Sequence, residues 1–514
     1  YLIIALIGLS APSCSDSMLD FSPTDSGSGK ELLKSASTAI TSVNGVYRSM
    51  WTAGWSTTAN THQCFGIAAY NLALDCMADD LIMQSQGNGW FWGDHCYNVK
   101  SNYTSSAFRS YDVWYANYKW IANVNYIIDA EPEMAGTEAD VAYVAGQAYA
   151  IRALCYLNLA TWFSRAPYNS LTGASRWNEP CVPVYTTGTS IDTGGQPRES
   201  LRTVYGRIDQ DIDRAIELLE KARETTLAEN NKSHINLYVA LGIKSRACLA
   251  EGDWDGAFKA AKRVIDEGGY AVGTKSDLTG GMNSLDKQNV MWGAGIQVAD
   301  QAGGYAGFFT HMDNKEGAYA KSAPKLISKQ LYNRISATDI RRDWWDPSDK
   351  ESPYVSKKFS FANVASFLGD YIYMRVEEMY FTAAEAALRL DDLKSARELM
   401  NTVMAERDPG YSANNRSGTL LGATTTTWTG SFLENILTHR RIELWGEYGR
   451  LFDVRRLGQG IDRRTDDGFS EECISMMNRR NVNITKADTY DWVLTIPKAE
   501  LDANPNINEE DQNP

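Results

Sequence analysis

From Asp112 to Asp129 the residues Val113, Tyr115, Ile121, Val124, Ile127 and Ile128 recur at helical spacing, with Asn123 and Asn125 between them. That rhythm predicts an amphipathic helix. A longer one is predicted from Glu138 through Trp162, carried by Val141, Val144, Ala148, Ile151, Leu154, Tyr156 and Leu157. Pro167 bars its continuation. Glu199 to Arg223 repeats the pattern with Val204, Ile208, Ile212, Ala215, Ile216, Leu218 and Leu219. Between about 268 and 374 the rhythm fails at Gly268–Gly269, Gly280–Gly281, Gly293, Gly295, Gly303–Gly304 and Gly307, and Val290–Val298 reads as a short strand. Helices return at Arg375–Arg407 and Ser431–Leu451.

Two segments superimpose. Ala247–Ile265 aligns with Ala386–Met404, a helix end meeting Gly252–Asp253 in one and Asp391–Asp392 in the other. An apolar residue follows (Trp254, Leu393), then a small one (Ala257, Ala396) that lets the second helix pack close. This is helical-hairpin chemistry of the tetratricopeptide kind. The hairpins at 112–162 and 199–247 read as degenerate copies. The fold class predicted is mostly α: a tetratricopeptide-like helical-hairpin scaffold with loop-rich insertions and a few short strands.

Composition narrows the function. The 514 residues carry 50 Lys plus Arg against 64 Asp plus Glu, a net charge of −14. An acidic chain lacks the basic footprint a nucleic-acid partner needs. The chain begins with the apolar run Tyr1–Leu9, too short to span a membrane and shaped like a signal-peptide core. Small residues then lead to Cys14, a pattern of cleavage and lipidation, and residues 14–30 read as a flexible tether. Of the other seven cysteines, Cys155 and Cys248 fall in apolar helical patterns. Any disulfide is expected to involve Cys64, Cys76, Cys96 or Cys181.

Catalytic signatures are missing. The five histidines make no HExxH or HxH spacing, no G-x-S-x-G occurs, and Ser26–Glu31 fails as a phosphate loop. The adjacent acids Asp79–Asp80, Glu377–Glu378 and Asp391–Asp392 read as solvated helix faces, turns and caps. The Asp/Arg clusters at 339–343 and 453–456 read as ion-paired structure. No catalytic residue, metal site or cofactor is assigned. Rings on glycine-flanked loops are more informative, because an exposed apolar ring needs a reason. Asn88, Trp90, Trp92 and Asp94 lie in one such loop, and Tyr305, Phe308, Phe309 and His311 in another; Asp339–Asp346 holds Trp344 and Trp345. Aromatic faces beside Asn, Asp or Arg suit a sugar, whose axial C–H groups stack on rings and whose hydroxyls take the polar groups.

Five further stretches resemble one family, the SusD-like (RagB/SusD) nutrient-binding lipoproteins of the bacterial outer membrane. They are Cys14–Thr24, Ala148–Phe163, Arg375–Ala387, Arg440–Arg456 and Ile496–Pro514, in the family's order. The third is similar to its Arg-x-x-E…A-E-A helix, and the fourth to its E-R-x-x-E-L-x-x-E-G-x-R-x-x-D-x-x-R signature. The resemblance implies a signal remnant over 1–13 and a lipidated tether over 14–30. It further implies a single domain over 31–514: scaffold at about 31–267 and 375–457, insertion at about 268–374, closing loops and tail at 458–514. It also implies no enzymatic activity and an outer-membrane, lipid-anchored, surface-exposed location. The ligand implied is an oligosaccharide, delivered to a TonB-dependent SusC-like barrel on which the protein acts as a lid. The ring loops, with Asn88, Trp90, Trp92, Asp94, Tyr305, Phe308, Phe309 and His311, stand where relatives place their binding rings. Peptide capture is the alternative within the family, and a helical-repeat glycosidase is the alternative outside it.

Overall fold

The computed structural model describes residues 29–52, 61–98, 108–190, 192–228, 232–298, 306–487 and 489–514. The expectations resting on the signal run, on Cys14 and on Tyr305 therefore fall outside the described residues. The chain is mostly helical, as its periodicity predicts. The principal helices are α1 (Ala36–Ser49), α2 (Ile67–Met77), α3 (Phe108–Ala130), α4 (Glu138–Phe163), α5 (Leu201–Lys221), α6 (Leu237–Glu251), α7 (Trp254–Glu267), α8 (Val376–Arg389), α9 (Leu393–Ala405), α10 (Phe432–Glu443) and α11 (Arg450–Leu457). Several begin on a side chain that accepts an otherwise orphaned N–H. Thr137 accepts from Asp140 at 3.1 Å for α4, and Asn236 from Tyr238 and Val239 at 2.9 and 3.0 Å for α6.

The two superimposed segments have the same turn. Gly252 (φ 77°) and Asp391 (φ 62°) both take the left-handed conformation that closes the first helix. Asp253 and Asp392 then cap the second helix, accepting from Gly256 and Ser395, each at 3.0 Å. Ala257 and Ala396 are fully buried. The two hairpins, α6–α7 and α8–α9, pack on each other through α7 and α8, while α3, α4 and α5 layer against one another on the other side. The helix expected over 431–451 is instead two. Gly446 and Gly449 adopt positive φ (74° and 87°), and a Cβ at Gly449 would lie 2.9 Å from Leu74 Cβ, so α2 presses into the break.

Strands are few. β1 (Leu81–Ile82), β3 (Leu326–Ile327), β5 (Val355–Ser356) and β4 (Trp345–Asp346) lie side by side in that order, all antiparallel. β2 (Val290–Ala294) pairs with β6 (Tyr371–Arg375), and its register shifts on both sides of Trp292. All seven described cysteines are buried thiols outside any disulfide, which corrects the expectation that a disulfide would involve Cys64, Cys76, Cys96 or Cys181. They pack as small apolar side chains.

Buried charge ties Arg341 and Lys358, of the 268–374 stretch, to the helices. Glu443, at the end of α10, accepts from Arg407 Nε and Nη2 at 2.9 Å, from Arg375 Nη1 at 3.0 Å and from Arg341 Nη1 at 3.0 Å, and all four side chains are fully buried. Lys358 and Arg375 meet Glu447, and Asp453 joins Arg440 to Arg456. Asp79 and Asp80 face Arg441 and Arg450, and Glu377 and Glu378 face Arg407 and Arg246. Those two acid pairs are core ion pairs, not the solvated faces their adjacency suggests: each carboxylate is buried against a guanidinium that compensates its desolvation. Asp391–Asp392 keeps its expected turn and cap.

Candidate functional site

The two ring loops meet in space. Phe91 (φ 60°) turns the 87–95 loop, and its N–H donates to Gln63 Oε1 at 2.8 Å. His311, from the short helix Phe308–Met312, sits edge-on to Phe91 (centroids 4.9 Å apart) and stacks on Phe65 at 5.6 Å. His311 Nε2 donates to the His62 carbonyl at 2.6 Å, and burial holds its pKa well below the usual range, so the ring is neutral. Asn88 Oδ1 accepts from Ser322 Oγ at 2.5 Å, and Trp90 stacks on His62 (4.9 Å) with Tyr319 at its edge (5.9 Å).

Most of the residues chosen from the sequence are nevertheless interior. Trp92, Phe308 and Phe309 are buried, and Asp94 is fully buried in a two-point pair with Arg109 at 2.7 and 3.0 Å. His311 is fully buried as well. These loops fold back beneath themselves, and their rings form the floor they stand on. Trp344 and Trp345 are also core. Of the described candidates, Asn88 is exposed and Trp90 half-buried. Trp92→Ala is therefore expected to lower unfolding free energy by about 3 kcal/mol, read by urea titration. An unchanged midpoint would put this ring back at the surface.

The structure also holds a concavity that no motif announced. It measures about 300 Å3 and lies between the end of α1, the 233–234 turn and the β2–β6 ribbon. The ribbon's bulge makes it possible. Gly293 is so close to β6 that a Cβ would fall 2.1 Å from the Tyr371 carbonyl oxygen, and its N–H donates to the Lys232 carbonyl at 3.0 Å. That bond sets the turn bearing His234, whose Nε2 lies 2.8 Å from Asn44 Oδ1. Trp292 and Tyr373 pack edge to face at 5.0 Å as the floor. The Tyr373 hydroxyl is buried without a protein partner, although buried polar groups are otherwise almost always satisfied. At the mouth stand half-buried Trp51, Arg48 with its guanidinium 5.5 Å from the Trp51 ring centre, Asn44 and exposed Gln297. Sequence reasoning passed over these residues. Trp51 just precedes Gly54, and the criterion applied to the other glycine-flanked rings would have found it.

The chemistry on offer is recognition: an aromatic face, a cation, amides and one unsatisfied hydroxyl around a hollow. Among the described residues no group of three or more His, Cys, Asp or Glu is placed to hold a metal ion.

The architecture defines a class, a helical-hairpin scaffold whose inserted loops build an aromatic concave face. Two family models match the chain. One, described as "SusD family", covers residues 320–514, and the other, described as "Starch-binding associating with outer membrane", covers residues 38–249. The chain belongs to the SusD-like family. Solved structures share the fold. A SusD-like carbohydrate binding protein from Bacteroides vulgatus is 24% identical with a TM-score of 0.73, over 93% of this chain and 98% of that one. A SusD superfamily protein from Bacteroides thetaiotaomicron is 22% identical with a TM-score of 0.73, over 93% and 100%. Surface glycan-binding protein A from Bacteroides thetaiotaomicron is 16% identical with a TM-score of 0.63, over 94% and 99%. No curated protein matches the chain in sequence.

Proposed function

We propose that the chain is a glycan-binding protein of the outer membrane that captures an oligosaccharide at the cell surface. On this reading it passes the ligand to a TonB-dependent SusC-like barrel and works as that transporter's lid. Cys14 is its lipid anchor, and it carries out no reaction. The observation that carries the reading is the concavity at the end of α1. A pyranose resting on Trp51 would find Arg48, Asn44 and Gln297 for its equatorial hydroxyls and the unpartnered Tyr373 O–H beneath. A mostly apolar hollow with a few convergent polar groups is the usual form of a small-molecule site. Asn88 and Trp90 are proposed as an outlying contact for a longer chain. The family description and the names of the solved relatives support the ligand class and the membrane. The carboxylates a glycosidase could have used are engaged: Asp79 and Asp80 with Arg441, Glu377 with Arg407 and Glu378 with Arg246.

The test is a calorimetric screen of a glycan panel beside a peptide mixture. Trp51→Ala is expected to weaken the best glycan by about 2 kcal/mol, roughly thirtyfold in Kd, with the melting temperature nearly unchanged. Binding of peptides alone, or full glycan affinity in the variant, would overturn the reading.

A further inference from the structure

The outer face of α3 carries rings where a surface helix ordinarily carries charge. Tyr111, Tyr115, Tyr118 and Tyr126 fall on one stripe, with only Ala122 between the last two. By helical rise that stripe runs about 22 Å. Tyr111 and Tyr115 stack nearly parallel, with centroids 5.6 Å apart and planes 10° apart. Tyr115 and Tyr118 are half-buried and Tyr126 is exposed. The small Ala122 leaves a dip, and Tyr185, Thr189, Ser190, Thr193 and Glu500 wall it into a groove of about 480 Å3.

The walls offer donors on one side and an acceptor on the other. Tyr185 Oη accepts from the Gln196 N–H at 3.0 Å, Thr193 Oγ1 from the Ser190 N–H at 2.8 Å, and Ser190 Oγ from the Asp192 N–H at 3.2 Å. Each hydroxyl is already an acceptor from the backbone, and its proton remains for an outside oxygen. Glu500 supplies the opposite function. It takes the Trp114 indole N–H at 3.2 Å and an Asn504 amide N–H at 2.8 Å, and an ionised carboxylate has lone pairs for further donors. Aromatic faces flanked by O–H donors and a carboxylate acceptor match a molecule that is itself flat on one side and edged with hydroxyls.

We propose that this groove is a second saccharide site, distinct from the concavity at the end of α1, that takes a short neutral oligosaccharide along the tyrosine stripe. Neutrality follows from the balance of charge at the groove: Glu500 is offset by Lys119, whose ammonium lies 5.6 Å from the Tyr115 ring centre, so a uronate or sulfate gains no net attraction there on a chain of net charge −14. Two separated sites on one body hold a long polymer more tightly than either alone, through effective concentration. The inference takes its ligand class from the proposed function, but not its location.

The test titrates the full chain, by calorimetry, with neutral oligosaccharides from the panel and then with the parent polysaccharide. Tyr115→Ala and Ala122→Arg, which fills the dip from a half-buried position on its rim, are each expected to weaken the groove's oligosaccharide at least tenfold. Both should also lower avidity for the polymer, while Trp51→Ala leaves the groove's own binding in place. Unchanged binding in Ala122→Arg with the fold intact overturns the second site and spares the first. Loss of all binding in Trp51→Ala overturns it too, because only one site then exists. A wild-type chain that binds no glycan overturns both readings. Preference for an anionic oligosaccharide overturns the neutral assignment.

Discussion

Glu443→Gln is expected to lower the unfolding free energy by about 5 kcal/mol, the upper end for one broken buried pair. The carboxylate is fully buried and is shared by three buried guanidiniums, Arg341, Arg375 and Arg407. Burial alone would push its pKa up, yet Arg407, Arg375 and Arg341 together hold it well below the usual carboxylate range. Glutamine keeps the shape but withdraws the charge, and its amide hydrogens would face N–H donors. Asp339, Glu377 and Glu447 would remain to balance the arginines. The cost is large because a domain's total stability is only about 5–15 kcal/mol. Guanidinium titration reads the effect. Glu31→Gln, which breaks an exposed pair with Lys34, is the control and should move stability by under ~0.5 kcal/mol. Equal small losses in both variants would sink the idea that this network ties the 268–374 stretch to the helices.

Acid is expected to unfold the protein, with a steep loss of stability below about pH 4. Glu443, Glu447 and Asp453 are all buried, and neighbouring arginines, with Lys358 beside Glu447, outweigh burial and hold each below its ordinary pKa. A depressed carboxylate stabilises the fold above its unfolded pKa, and that contribution vanishes as pH falls through the folded value. At roughly 1.4 kcal/mol per unit, three such groups amount to several kcal/mol. Two other acids act in the opposite direction. Burial pushes Asp75 up to about 7, against the pull of the Arg450 N–H, and burial with Asp209 and Asp253 nearby pushes Glu251 up to about 8. Raised acids cost stability as pH climbs from their unfolded values to these folded ones. The stability maximum should therefore lie on the acid side of neutral, near pH 5. Melting curves from pH 2 to 9 check this, and a plateau unchanged down to pH 3 would contradict it.

The helices were legible because their signal is local. Ala257 and Ala396, with their capping aspartates, give both hairpins from sequence alone. The break inside 431–451 was not, because apolar rhythm outweighed Gly446 and Gly449 until Leu74 of α2 supplied the reason for it. The candidate site was legible in kind and not in place. Whether a loop ring is covered depends on partners far along the chain: Phe309 is packed by Phe361 and Tyr371, and Asp94 by Arg109. The same limit acted in reverse on α3. Tyr115 counted toward a helical core pattern, yet the fold leaves it half-exposed beside Tyr118.

The Met50 carbonyl accepts the Ile67 N–H at 2.9 Å, so the chain leaves α1 and re-enters α2 through one closed neck. A Cβ on Gly66 would strike that same carbonyl at 1.8 Å, which restricts the neck to glycine. On one side of it Trp51 stands at the mouth of the concavity, and on the other Gln63 and Phe65 are buried in the ring floor, against the Phe91 N–H and the His311 ring. The mouth and the floor are thus hinged on a single glycine, and a side chain placed there would disturb both together.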